Sequence, residues 1–226
     1  MHRRYGNPLL DPDVRVWAGV LLACCAVVVA VLGVIFAHQT TADRFDNAVD
    51  SPIITWLDRH PGLAGWFAFP GSQRSAVAVT VVVVVVACLL TRRLNGAVLA
   101  SAAVPAAVGV NDGLCKPLFH RTYLGVLSYP SGHTATMSAL AATLVVLLYV
   151  PPRSVKARVL RVVACSAACV AGVVVAVGVI GLRWHYFTDT VAGAAVGIGT
   201  VCALALLLDL PTWFRRSSAA DVSAGA

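Results

Sequence analysis

The chain has 226 residues, of which 59% are hydrophobic and only 12% charged, with a mean hydropathy of +0.83. Soluble domains carry about 25% charged residues, so disordered, collagen-like and ordinary cytosolic readings are excluded. The net charge of +7 arises from Arg, Lys and Asp with no Glu at all; in so apolar a chain it marks cytoplasmic loops, and no nucleic-acid partner is expected.

Six uncharged segments follow one another along the chain: 16–37, 75–91, 94–110, 134–150, 162–182 and 190–208. About 20 apolar residues cross a bilayer core of ~30 Å as a helix. The valine run 81–86 would suit a strand elsewhere, but buried strands usually stop after about 4–8 residues. Backbone groups in lipid must be satisfied within their own segment, which again favours helices. The expected fold is therefore all-α: a polytopic membrane protein with six transmembrane helices in one bundle. Residues 1–15 form a cytoplasmic tail and 16–210 the membrane domain, while 211–226 is expected as a second, disordered cytoplasmic tail, small and polar from Ser217 on. The first segment is too long for a signal-peptide core and is expected to be retained.

Arg and Lys placement sets the orientation. With the N-terminus inside, eleven cationic residues fall on inner segments and six on outer ones, which puts both termini in the cytoplasm. Among the outer cations, Lys116, Arg121 and Arg183 oppose this trend and need a separate reason. Residues 38–74 form the longest outer segment. Trp56, Trp66, Phe67 and Phe69 there suit a membrane interface, with 53–57 either a short interfacial helix or part of a folded loop. Cysteines number seven, six of them inside apolar runs and none in a C-x-x-C pair. They read as small hydrophobes rather than a disulfide framework. No internal repeat of the kind found in many transporters is visible.

Two outer segments hold most of the unusual polar residues. The first runs from Asp112 to His133, the second from Arg183 to Asp189, and each leads into a span, where ionisable residues are costly and usually functional. Ser131 can cap a helix after Pro130, and Gly132 lets a ligand approach the backbone. The unpaired N–H groups of that helix start suit an anion, with His133 on the first turn as a proton donor. A plain capped helix with an incidental His is the alternative. Lys116 and Arg121 either complete a phosphate cradle or snorkel to lipid head groups. His185 and Asp189 stand at i and i+4, where the carboxylate can polarise the imidazole; an interfacial hydrogen bond is the rival. Gly193 and Gly197 continue that stripe as a close-packing face.

These motifs resemble those of the type-2 phosphatidic acid phosphatase superfamily, integral-membrane lipid phosphate phosphatases that share a fold with vanadium haloperoxidases. The family carries K-x6-R-P, then P-S-G-H, then S-R-x5-H-x3-D. Pro130-Ser131-Gly132-His133 matches the second motif in full, His185-x3-Asp189 the end of the third, and Lys116 the start of the first. The order and the six-span layout match as well, from Ser75 to Leu208. The departures are Tyr123 and Leu124 where the first motif has Arg-Pro, and Gly178 and Val179 where the third has Ser-Arg. Arg121 and Arg183 are expected to replace the two displaced arginines and to converge on one phosphate.

The resemblance implies a metal-independent hydrolase with no cofactor. His185 would attack phosphorus and form a phosphohistidine, Asp189 would hold the imidazole, and His133 would protonate the leaving group and then activate water. Lys116, Arg121, Ser131, Gly132 and Arg183 would bind the phosphate. The substrate would be a polyprenyl or phosphatidyl phosphate or diphosphate in the outer leaflet of the cytoplasmic membrane, and the bilayer itself the only other partner. A lipid-linked phosphotransferase using the same histidine, or a lipid-binding or transport protein that has lost catalysis, are the alternatives. The oligomeric state is left open.

Overall fold

The structure, a computed structural model, describes the backbone of residues 8–148 and 155–224 and the side chains of 8–148 and 158–210. Its helices are α1 (Pro12–Phe36), α2 (Arg44–Asp58), α3 (Leu63–Ser72), α4 (Arg74–Leu90), α5 (Leu94–Val108), α6 (Lys116–Phe119), α7 (Gly132–Leu148), α8 (Val155–Gly181) and α9 (Phe187–Ala224). A π-helical turn, Gly109–Cys115, joins α5 to α6 without a break. The two short strands, β1 (Thr122–Tyr123) and β2 (Val126–Leu127), form an antiparallel hairpin. Its turn places Leu124 and Gly125 at φ 49° and 81°, a geometry that glycine adopts freely.

Four helices are long and apolar enough to cross a membrane: Pro12–Phe36, Leu94–Phe119, Arg158–Gly181 and Phe187–Leu210. The chain is thus a multi-pass helical membrane protein. The expected span 75–91 is one helix, α4, but not an independent one. α4 has 17 residues and follows α3 across Gln73 at a bend of 47°, so the pair is either one broken span or a re-entrant loop. α7 is apolar but has 17 residues, and the end of the expected span 134–150 lies outside the described residues. Among the described residues, four helices, or five spans with the bent pair taken as one, are thus long and apolar enough to cross, where six are expected. The 38–74 segment is more ordered than a loop. It folds into α2 and α3, with 53–57 falling inside the longer α2, whose N-cap Asp43 accepts the Asp46 N–H at 2.7 Å.

α9 is the axis of the bundle. It packs on α1 and α7, α7 packs also on α5 and α8, α3 leans on α8, and α4 on α5. The α7–α9 contact is backbone-close: a Cβ on Gly193 would collide with Thr134 Oγ1 and the Ser131 carbonyl, and one on Gly197 with the Ala135 carbonyl. The expected small-residue stripe is thus a packing face. One apolar cluster, around Leu99, Ala103, Leu147 and Val201, fills one half of the bundle; a second, around Phe119, Tyr129, Ala135 and Val196, lies under the histidines. In the first half, Leu9 and Leu10 donate their N–H groups to buried Asp209 at 2.8 and 2.9 Å, so these two residues of the N-terminal segment are docked on α9. Residues 1–7 and 225–226 of the expected tails lie outside the described residues, and the backbone of 211–224 continues α9 as helix where a disordered tail is expected.

Candidate active site

Two helix starts and the π turn meet at one end of the bundle. Ser131 stands just before α7. Its Oγ lies 3.5 Å from the Thr134 N–H, and its own N–H donates to the Asp189 carbonyl at 2.9 Å, which ties the start of α7 to the first turn of α9. The N–H groups of Gly132 and His133 find no hydrogen-bond partner among the described residues. They are the orphan donors that every helix start leaves over. The start of α9 is different. Phe187 N–H donates to Asp50 at 3.1 Å, Thr188 N–H to Asp46 at 3.0 Å, and Tyr186 N–H to Asp189 at 3.1 Å. Carboxylates already occupy that positive end, so only α7 offers its N-terminus to an anion.

His185 and His133 face each other with ring centroids 5.8 Å apart, and Trp184 lies against His133 at 5.4 Å. His185 Nδ1 sits 2.9 Å from the Ser128 carbonyl. A carbonyl can only accept, so Nδ1 carries a proton, and in the neutral imidazole Nε2 keeps the lone pair. Asp189, the expected orienting carboxylate, is 3.8 Å from Nδ1. It acts on the ring through charge rather than through a hydrogen bond, and the carbonyl of Ser128 does the orienting.

Both imidazoles open on a cavity of about 830 Å³. Its polar end holds Ser72, Arg74, Asp112, Lys116, Gly132, His133, Thr136 and His185. Its far wall is Val77, Ala78, Val81 and Val82 of α4 with Val104, Pro105 and Val108 of α5. Val82 lines the cavity and is 59% exposed, so the apolar wall is continuous with the lipid-facing surface. The π turn contributes Asp112 to the cavity, and such turns often occur at functional sites. Asn111 holds the Pro130 carbonyl at 3.1 Å and Asp112 at 2.9 Å, and Lys116 pairs with Asp112 at 2.9 Å.

Of the expected phosphate ligands, the structure brings Lys116 and Gly132 to the cavity. Ser131 is fully buried beneath it and acts as a cap. The two arginines do not converge there, which corrects that expectation. Arg121 is wholly buried. Nη1 donates to Thr188 Oγ1 at 2.7 Å and to Asp189 at 2.8 Å, Nη2 pairs with Asp46, and the guanidinium is flanked by the rings of Phe36 and Tyr186 at 4.5 and 4.2 Å. Two carboxylates and two aromatic faces claim this cation before any ligand can. Arg183 turns to the surface and pairs with Asp58 of α2 at 2.8 Å. An arginine at 179 would have no room either, because Val179 is fully buried against Ala68 of α3 and Val175.

Sequence reasoning missed Arg74, Asp46 and Ser128. Arg74 lines the cavity as a cation and has no ion pair among the described residues; its distance from the motifs hid it, although its place among the outer cations was a signal. Nothing in spacing links Asp46 or Ser128 to the histidines. Asp50, beside Asp46, is raised to about 7 by burial and by the neighbouring carboxylate, with the Phe187 N–H pulling the other way.

Residues 17–213 match the sequence profile of the PAP2 superfamily. No curated protein sequence matches the chain significantly. Among solved structures, a transmembrane PAP2-type phosphatidylglycerolphosphate phosphatase from Bacillus subtilis is similar, with a TM-score of 0.62 at 16% identity, covering 83% of this chain and 93% of that one. That likeness shows a shared fold, and the profile spans nearly all of the bundle, helix starts included: the chain belongs to the PAP2 superfamily.

Proposed function

We propose that the protein is a metal-independent lipid phosphate phosphatase acting through a phosphohistidine. One observation carries the reading: a lone-pair nitrogen on His185 and the imidazole of His133 share the polar end of a cavity whose other end is valine wall open to lipid. An amphipathic substrate fits that gradient, with its phosphate at the histidines and its chain along α4 and α5.

His185 Nε2 attacks phosphorus while the bond from phosphorus to the leaving oxygen breaks, and His133 gives that oxygen its proton. Water then attacks the phosphohistidine, His133 takes the water proton, and the P–N bond breaks to release phosphate. Lys116, Arg74 and the free N–H groups of Gly132 and His133 meet the charge of the phosphoryl oxygens, the dominant requirement of this chemistry. Asp112 holds Lys116 in place until the substrate arrives. The site would face the outside of the cytoplasmic membrane, as the Arg/Lys asymmetry implies. Phosphatidyl and polyprenyl phosphates or diphosphates are the substrate class.

The test is hydrolysis by the purified protein in detergent, across phosphatidic acid, phosphatidylglycerolphosphate and a polyprenyl diphosphate, with EDTA present. Release of inorganic phosphate without an alcohol acceptor is expected, together with acid-labile, base-stable label on His185. Turnover only with added Mg²⁺, or only with an acceptor, would refute the hydrolase reading.

A further inference from the structure

The buried arginine at the base of the hairpin has no contact with the cavity, yet it touches both groups that hold the nucleophile. Its backbone carbonyl accepts the Ser128 N–H at 2.9 Å, and the Ser128 carbonyl in turn accepts from His185 Nδ1 at 2.9 Å. Its guanidinium holds Asp189 Oδ1 at 2.8 Å, while Asp189 Oδ2 stands 3.8 Å from the same Nδ1. The far side of the guanidinium is anchored by Asp46 of α2, which also caps Thr188 through its N–H and Oγ1, both at 3.0 Å. We propose that Arg121 and Asp46 are positioning residues for the nucleophile, fixing His185 through Ser128 on one side and through Asp189 on the other.

Charge gives this arrangement a purpose beyond rigidity. Arg121, Asp46 and Asp189 sum to one net negative charge behind the imidazole, all three fully buried. Without Arg121, two carboxylates would stand there uncompensated and would hold the ring protonated, leaving no lone pair to attack. Without Asp46, Arg121 would cancel Asp189 outright and the ring would lose its countercharge. Asp50, Tyr129 and Tyr186 also face this cluster, with Tyr123 packed against Tyr186 and His133 facing the His185 ring; Asp50 acts on it by charge as well as through the Phe187 N–H.

The inference rests on the phosphatase reading, but its test need not. Asp46→Asn and Arg121→Gln are made in the full-length protein, with Arg121→Lys as the fallback if the Gln variant does not fold, and each is checked by thermal melting in detergent. The readouts are kcat and KM on phosphatidic acid, the kcat–pH profile, and 15N spectra of histidine-labelled protein. In folded variants, kcat should fall roughly tenfold to a hundredfold with KM nearly unchanged, as for a displaced reacting group. The acidic limb should move in opposite directions: to lower pH in Asp46→Asn, which removes a negative charge, and to higher pH in Arg121→Gln, which removes a positive one. The double variant should return it close to the starting position. Arg121→Lys keeps the charge, so its limb should stay while its kcat falls.

A purely structural pair would lower the melting temperature without opposite-signed shifts, and that outcome overturns the proposal. A rise in KM with kcat kept in Arg121→Gln would return Arg121 to phosphate binding, and also overturns it. If the starting protein hydrolyses nothing, the 15N titration of the labelled His185 ring still decides the matter. Opposite shifts would uphold the positioning while the phosphatase reading fails; no shift in either variant would sink the positioning on its own.

Discussion

His185 has one nitrogen tied to a carbonyl and one free toward the cavity, while His133 faces it from the next helix start. This asymmetry predicts different deficits. His185→Ala should abolish turnover and the phosphoenzyme together. His133→Ala should still label His185 when the leaving group needs no proton, such as a p-nitrophenolate; rapid-quench labelling with such a substrate is the measurement. The cations divide in the same way. Arg74→Ala should cost about 2–4 kcal/mol of transition-state stabilisation, the scale of losing one preorganised charge-stabilising donor. Arg183→Ala should leave kcat/KM within about threefold, since an exposed pair with Asp58 contributes little. Side-by-side kcat/KM values for the two variants check this ordering, and equal losses would restore Arg183 to the site. Both histidines were legible because their motifs are local. Arg121 and Arg183 were legible as anomalies and misread in role. Their exclusion from loops governed by the positive-inside rule is visible in sequence, but the carboxylates that claim them, Asp46 and Asp58, come from a helix dozens of residues away.

That helix, α2, is where the element scale departs most from expectation. Aromatic and proline content marked 38–74 as interfacial, and it is helical, but its acidic face does the structural work: Asp46 and Asp50 cap the start of α9. Long apolar helices are legible from run length alone, whereas nothing in the spacing of α2 shows that two of its carboxylates reach the start of a helix dozens of residues away. Asp50 gives a testable consequence. Its pKa is raised to about 7 by burial and by Asp46, against roughly 3.9 in an unfolded chain. Between those values the folded state binds the extra proton, so this group's contribution favours folding at pH 4 and is lost as pH rises through 7. Asp50→Asn keeps an acceptor for the Phe187 N–H without the charge. Its melting temperature in detergent should exceed that of the starting protein at pH 8, with the difference shrinking by pH 5. A constant offset across that range would show that Asp50 carries no buried proton. The bent α3–α4 pair was equally hidden: the 75–91 run is α4 itself, and the 47° bend lies just ahead of it at Gln73, in the segment that reads as an outer interface.

At the scale of the whole molecule, four or five spans are able to cross by length among the described residues, against six uncharged runs; α4 joins α3 at a bend, and the end of the 134–150 run lies outside the described residues. The sidedness that the cation counts imply is open to direct measurement. Leu124 at the tip of the hairpin is 85% exposed, on the same end of the bundle as the histidines. In a variant with the native cysteines replaced, Leu124→Cys should react with an impermeant maleimide added to intact cells, and Arg92→Cys, at the far end of α4, should react only after lysis. The reverse pattern would turn the site toward the cytoplasm.

The sideways opening beside Val82 changes what concentration means for this protein. A cavity that a substrate enters along a valine wall samples the bilayer and not the bulk solution, so its encounters are counted per unit of membrane area. On the proposed function, substrate supply is then set by the mole fraction of the lipid phosphate in the membrane, and the dephosphorylated lipid leaves into the same two-dimensional pool. Adding inert detergent at a fixed molar amount of substrate should therefore slow turnover in proportion to the surface dilution, while diluting the whole sample with buffer of matched free detergent should leave the rate per enzyme nearly unchanged.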